Sequence, residues 1–335
     1  MINIDFLYTP SGYLSLCYHY IREPEAAKSF PRILGTSTDV FEKHIEMFLK
    51  NFKLITPNDA LTFSYSDYDL KNNIGLLITL DDGLSDHYVA AQILAKYGIK
   101  ALFFIPTCII EENLPANPII IHYCIAQSGL DKFVKELNYL LEKYLEDYSS
   151  YLVTYVKDKN NSNETIKKIK ALFKYNLPSN ISRKILLELY EILLHSIYPN
   201  AMEIMHLTKK QISEMLEMGH SFGTHTYSHI SVGSTSLNED EFKHELIDPK
   251  NHLEKNFGIK TDFMSYPFGE VRDCLSSKEL IMKTNSYKLA FTVEEILNTK
   301  NTSPFELGRY MPTSTDTSVS LYNKMFTMIN GAKKN

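Results

Sequence analysis

The chain has 335 residues, 44% of them hydrophobic and 22% charged, which is the make-up of a soluble globular protein with material for a large core. The formal net charge is −5 with no block of like charges, which argues against a phosphate-tracking nucleic-acid binder, and no stretch approaches the roughly 20 apolar residues of a membrane span. Cys17, Cys108, Cys124 and Cys274 show no paired spacing and read as free thiols of a reducing compartment; residues 1–20 lack a basic start before an apolar run, so a cytoplasmic location is expected.

In chain order, Tyr13 to Tyr20 reads as a strand by its aromatic and apolar content, and Arg22 to Thr38, with Pro24, Pro31 and Gly35, as a loop. Thr38-Asp39 then cap a helix whose Phe41, Ile45, Phe48 and Leu49 share one face. Phe52 to Thr56 is a short strand, Pro57-Asn58 start a short helix, and Phe63 to Asn73 is a polar, tyrosine-rich connection. Ile74 to Leu80 is a buried strand, Tyr88 to Tyr97 a helix closed by Gly98, and Lys100 to Pro106 the next strand. Strand, helix, strand with short links means a parallel pair.

From about Thr107 to Met205 that rhythm is lost. Leu130 to Tyr155, Glu164 to Tyr175 and Ile181 to Ile197 read as helices around a polar break at Asp158 to Asn163. This region, 107–205, is expected to be a helical insertion within a single 1–335 domain; His122, His195 and His206 in or beside it show no partner spacing. The alternation then resumes: a helix opened by Leu207-Thr208, a strand-like run after Gly219, a helix to about Phe257, a strand Asp262 to Gly269, a helix Ser276 to Asn285, a strand Lys288 to Val293, a last strand Phe305 to Met311 and a closing helix Ser318 to Ile329. A disordered tail is expected over Gly331 to Asn335. The pattern is that of a closed or nearly closed parallel α/β barrel with one helical insertion.

Two stretches carry chemistry. The first is Ile74 to Gly83, where an apolar strand ends abruptly in Asp81, Asp82 and a glycine. Neighbouring strand residues face opposite ways, so both carboxylates can serve one site only where the backbone turns, and Gly83 permits the turn. Taken alone, the dipeptide reads more readily as a polar turn after a core strand. The second is Gly219 to His229, with His225 and His229 four residues apart, on one helix face or around a tight bend after a strand. Either geometry lets two imidazoles converge on a metal, and with one carboxylate they make a set that suits zinc, Fe(II), Mn, Co or Ni; two structural histidines are the plainer reading of the pair alone.

Together these motifs make the chain resemble the polysaccharide deacetylases, the NodB-homology domain of carbohydrate esterases. The family's Thr-Phe-Asp-Asp-Gly appears as Thr79-Leu80-Asp81-Asp82-Gly83, its His-(Ser/Thr)-x-x-His as His225-Thr226-Tyr227-Ser228-His229, and its Arg-x-Pro-(Tyr/Phe) as Ser265-Tyr266-Pro267-Phe268. The resemblance spans roughly residues 13–106 and 206–312 and leaves out the insertion. It implies a distorted parallel (β/α) barrel and a metal-dependent deacetylase. Asp81 resembles the general base; Asp82, His225 and His229 resemble the ligands of one divalent metal, zinc before Ni, Co, Mn or Fe. The resemblance further implies that the metal would activate water for attack on the amide, that Asp81 would take the proton, and that the backbone N–H of Phe268, in the turn with Tyr266 and Pro267, would help to hold the oxyanion.

Two departures stand out. Ser265 occupies the place of the arginine that holds the catalytic aspartate, with Arg309 as the candidate replacement against the plainer reading of a surface ion-pair partner. The family's late general-acid histidine is missing from Phe305 to Thr313, and His19, at the end of the first strand, is the candidate substitute beside the reading of a satisfied strand-end histidine. The resemblance implies a small-molecule or saccharide substrate, an N-acylated carbohydrate or sugar conjugate. A hydrolase of non-carbohydrate linear or cyclic amides and a catalytically silent binding protein are the alternatives. The insertion is a candidate cover for the cleft or a candidate subunit contact of a homo-oligomer.

Overall fold

A computed structural model describes residues 11–23, 30, 33–66, 70, 73–156 and 159–331. Strands β1 (Gly12–Tyr18), β2 (Lys53–Leu54), β3 (Ile74–Leu80), β4 (Leu102–Ile105), β5 (Ser221–Thr224), β6 (Phe263–Ser265), β7 (Leu289–Phe291) and β8 (Asn298–Thr299) form one sheet in the order β7-β6-β5-β4-β3-β1-β8, with β2 beside β3. All pairs are parallel except β1 with β8. β1 and β3 pair along their whole lengths, from Gly12 opposite Ile74 to Tyr18 opposite Leu80. Both are buried throughout, which is why they read as near-continuous apolar runs without alternation.

The sheet curls and closes into a distorted barrel. The expected last strand over Phe305 to Met311 is instead an irregular segment that makes one parallel bridge to each neighbour, Leu307 to Phe291 and Tyr310 to Leu16. Its backbone bonds span the gap: Thr292 N–H donates to Leu307 O at 2.7 Å, Tyr310 N–H to Ser15 O at 2.9 Å and Cys17 N–H to Tyr310 O at 2.8 Å. Between the two bridges the Asn298 side chain takes a strand's part, accepting from Gly308 N–H (2.8 Å) and donating to Gly308 O (2.9 Å). That local substitution is what denies the segment a regular ladder.

Helices pack outside the barrel, with Phe41, Ile45 and Phe48 of Thr38–Asn51 buried as their spacing requires; Leu49 is exposed, and Ser37, one residue earlier than expected, is the cap. The region 107–205 is helical and carries a core of its own, with Phe133, Leu137, Leu141, Leu186, Leu189 and Leu193 buried together. Its helix from Leu130 stops at Tyr144, where Leu145 turns extended, and does not run to Tyr155. The helix Asn117–Ser128 was not foreseen, because its Ile119, Ile120, Ile121, Tyr123, Cys124 and Ile125 are buried nearly all round and show no one-sided stripe. The four cysteines are free and buried, and residues 332–335 of the expected disordered tail lie outside the described residues.

A Cβ on Gly308 would collide with the Glu294 carbonyl and the Ile296 side chain. Gly308→Ala should therefore destabilise the barrel closure by about 1–3 kcal/mol, read as a lower urea midpoint at unchanged m-value.

Candidate active site

Asp81 and Asp82 leave the carboxyl end of β3, where catalytic groups of parallel α/β folds collect. Asp82 has φ 83° and Gly83 φ 56°, so the chain turns through two left-handed residues and both carboxylates line one cavity. His225 follows β5. The segment from His225 to His229 is the bend, not the helix: Thr226 (φ 59°) and His229 (φ 68°) are left-handed, and Thr226 Oγ1 accepts from the N–H groups of His229 (2.9 Å) and Ile230 (3.3 Å). This turn brings the two imidazoles edge to face, with ring centroids 4.6 Å apart at 89°.

Asp82 Oδ1 lies 3.0 Å from His229 Nε2 and 3.6 Å from His225 Nε2. Ligand atoms of Asp82, His225 and His229 all lie within 4.8 Å of one another, and the three residues are buried. Asp82 Oδ1 and His229 Nδ1 are buried without a hydrogen-bond partner among the described residues. Such orphaned polar atoms are costly unless something else satisfies them. His225 Nδ1 is 2.8 Å from the Ser265 carbonyl, so it carries the proton and turns an unprotonated Nε2 to the site. Burial pushes the His225 pKa down to about 4, against the opposing pull of Asp81, so the ring is neutral near pH 7. Burial raises the Asp82 carboxyl, but His229 pulls it well below the carboxylate range. An ionised Asp82 carboxylate and a neutral His225 are in the protonation states that ligate a divalent cation, and the set fits one.

Asp81 is held differently. Arg309, fully buried, reaches it from the closing segment with a fork of two 2.8 Å bonds, Nη1 to Oδ1 and Nη2 to Oδ2. The rest of the guanidinium donates to Thr79 Oγ1 (3.0 Å), Ser265 Oγ (2.7 Å) and the Thr292 carbonyl (2.8 Å). Ser265 Oγ also donates to Asp81 Oδ2 at 3.1 Å. The surface ion-pair reading of Arg309 is thereby overturned. Burial raises the Asp81 carboxyl, and Arg309 followed by His225 more than reverses this, leaving it far below the usual carboxylate range. A second cluster, Cys17, His19 and Asp81, lies alongside. It makes a poor ligand set, since burial holds the Cys17 thiol well above its ordinary pKa and Arg309 occupies both Asp81 oxygens.

His19 sits beyond β1, its Nε2 4.0 Å from Asp82 Oδ2 and its side chain partly open to the cavity. Tyr266 is fully buried and anchors the turn after β6 by donating its hydroxyl to the Phe305 carbonyl (3.2 Å). Phe268 (φ 67°) lays its ring edge-on to His229, with centroids 4.7 Å apart. Its N–H makes no hydrogen bond among the described residues. The cavity in front of these groups measures about 670 Å³, and its far wall comes from the insertion: Asn117, His122, Lys167, Lys170, Phe173 and Tyr175. The insertion was a candidate cover for the cleft, but sequence reasoning assigned none of these residues to the wall. The wall's one signal was lysine at 167, 170 and 174, a helical spacing in a segment otherwise read for its apolar face.

Residues 71–285 match the family model described as "Polysaccharide deacetylase". No curated protein matches the chain. Among solved structures, a Streptococcus pyogenes deacetylase, PplD, in complex with acetate is similar over 95% of this chain and 99% of its own at 19% identity and TM-score 0.57. IcaB from Ammonifex degensii is similar over 95% and 98% at 16% identity and TM-score 0.54. A putative polysaccharide deacetylase from Bacillus anthracis is similar over 94% and 69% at 14% identity and TM-score 0.55. At such identities the likeness is one of fold.

Arg309→Ala strands the Asp81 carboxylate in a buried site and should cost about 3–5 kcal/mol of stability. Adding Asp81→Asn should recover a sizeable part of that loss. A denaturant-unfolding double-mutant cycle measures it, and additive losses would mean that the pair is not coupled.

Proposed function

Because the chain belongs to the polysaccharide deacetylase family, we propose that it is a metal-dependent deacetylase that removes an N-acetyl or related acyl group from a carbohydrate or sugar conjugate. The observation that carries this reading is the ligand set Asp82, His225 and His229, with its orphaned Asp82 Oδ1, set directly beside an aspartate kept ionised by a buried arginine. Asp82, His225 and His229 would hold a divalent cation, zinc before Ni, Co, Mn or Fe, which would supply Lewis acidity toward the amide carbonyl and toward water.

The chain's own residues do the rest. Asp81 is the base that takes the proton from the attacking water. Its Oδ2 accepts from both Arg309 Nη2 and Ser265 Oγ, whereas Oδ1 accepts from Arg309 Nη1, so Oδ1 is the less crowded oxygen for that proton. Arg309 holds the carboxylate in one orientation and in its ionised form. The Phe268 N–H, free of other hydrogen bonds among the described residues, donates to the developing oxyanion. His19 protonates the departing amine, and the acyl group leaves as the carboxylate. Phe173, Tyr175 and Phe268 in a cavity of about 670 Å³ favour a sugar ring over a small cyclic amide, since aromatic faces can stack on sugar rings.

Wild type should carry stoichiometric metal by elemental analysis and release amine from N-acetylated sugars, whereas His225→Ala should lose both. Metal in neither protein would sink the catalytic account and leave a silent binder of the same fold. His19→Ala should lower kcat on the order of 10²-fold with bound metal unchanged; full turnover in that variant would remove His19 from the mechanism.

A further inference from the structure

The cavity wall opposite the ligand set is basic in a way the deacetylation chemistry does not use. The helix Lys159–Ala171 runs into a wide turn, Leu172–Asn176, and places Lys167, Lys170 and Lys174 along the cavity. Wide turns of this kind are frequent at functional sites. The three ammonium groups differ in their partners. Lys174 is neutralised by the buried Asp273 at 3.0 Å and rests 3.9 Å above the Phe268 ring. Lys168, on the same helix but not in the cavity wall, pairs with Glu164 at 3.5 Å. Lys167 and Lys170 have no ion pair and no hydrogen bond among the described residues.

The carboxylates that line the cavity are already committed. Asp81 is bound by Arg309, Asp82 belongs to the ligand set, and Glu270 is 3.3 Å from Arg272. Lys167 and Lys170, three apart on one helix, are like charges on one stretch of wall, and neither has an ion-pair partner among the described residues. A divalent cation at the ligand set makes the cavity more positive still. A second cavity of about 420 Å³ continues from the first: both are lined by His19, Asp82, His122, Lys170 and Met311, and the second extends past Tyr20 to Thr313. Lys170 thus stands at the junction of two subsites that meet over the ligand set.

We propose that Lys167 and Lys170 form an anion subsite, so that the substrate is an N-acylated glycan carrying a phosphate or carboxylate close to the sugar whose amide is cut. For the sugar itself this rests on the deacetylase reading; the anion subsite rests on the lysines. Lysine serves such a site as a mobile point charge, with no demand for a planar fork. The two connected cavities allow the anionic group to sit to one side of the cut while a neutral sugar occupies the other. Fixed positive charge in a walled cleft also concentrates anionic substrate and raises its on-rate.

The test is calorimetric binding of three trisaccharides to the metal-loaded protein: neutral chitotriose, its 6-phosphate, and an analogue containing N-acetylmuramic acid. Wild type should bind an anionic trisaccharide at least tenfold more tightly than the neutral one, and whichever of the two is preferred identifies the anion as phosphate or carboxylate. In Lys167→Gln/Lys170→Gln that ratio should fall toward one, while Lys168→Gln keeps the wild-type ratio. Equal affinity for all three sugars in wild type, or an unchanged ratio in the double variant, overturns the proposal. Amine release measured on the same samples tests the deacetylase reading separately: binding selectivity without amine would sink that reading and leave the anion subsite standing.

Discussion

The pairing of Arg309 with Asp81 is the constraint on which the rest of the site depends. A carboxylate and a guanidinium so deeply buried are costly to desolvate, and the cost is offset only because every donor of the guanidinium finds an oxygen nearby. Those oxygens belong to β3, to the turn at the end of β6, to the end of β7 and to the strand-end aspartate itself. The ion pair therefore ties the closing segment to the middle of the sheet, and a barrel that failed to close would leave Asp81 unpaired. Barrel closure and the pairing of Asp81 are one structural fact. Ser265 shows how the swap of position is accommodated: a small hydroxyl stands where an arginine would fill the space, and it bonds both Arg309 and Asp81.

Strain is concentrated at the same place. Among the described residues, six non-glycine positions have positive φ; two are Asn113 and Asn285, and the other four are Asp82, Thr226, His229 and Phe268. All four border the ligand set. Each costs of order 1–3 kcal/mol against an ordinary backbone, and Asp82, His229 and Phe268 line the cavity. The Thr226 hydroxyl stabilises the His225 to His229 bend by capping two N–H groups, so this strain is offset locally.

This division explains what could be read from the sequence. Strand β3 and the helix ends at Gly98 and Thr208 were legible because each rests on local chemistry: an apolar run, a left-handed glycine, a threonine with Gln211 three residues on. Asp81, Asp82, His225 and His229 were legible as a set because their spacing is carried by two short motifs. The role of Arg309 was visible only as a candidate, because its partner lies 228 residues away and the segment that brings it there is shaped by the Asn298 side chain, not by a strand pattern. The helix at Asn117 was invisible for the opposite reason: full burial erases the periodicity by which helices are recognised.

The insertion follows a different logic from the barrel. Its leucines bury one another in a core of their own, which takes in Leu84 from the turn after Asp82 and is tied to the strand ends by Ser85 N–H donating to the Met205 carbonyl and Asn117 N–H donating to the Ser228 carbonyl. It meets the site through side chains that reach inward, the lysines of one helix and Phe173 and Tyr175 of the turn after it, with the Lys174 and Asp273 ion pair fastening it to the loop side of the barrel. Asp273 is itself bound by Ser231 at 2.5 Å, two residues beyond His229, so the wall is anchored beside the ligand set. The ligand set and the lysine wall thus sit on separate pieces of structure. The barrel can keep its ligand geometry under tight constraint while the wall changes charge or shape at little cost, because replacing a cavity lysine disturbs neither the insertion core nor the buried ion pair.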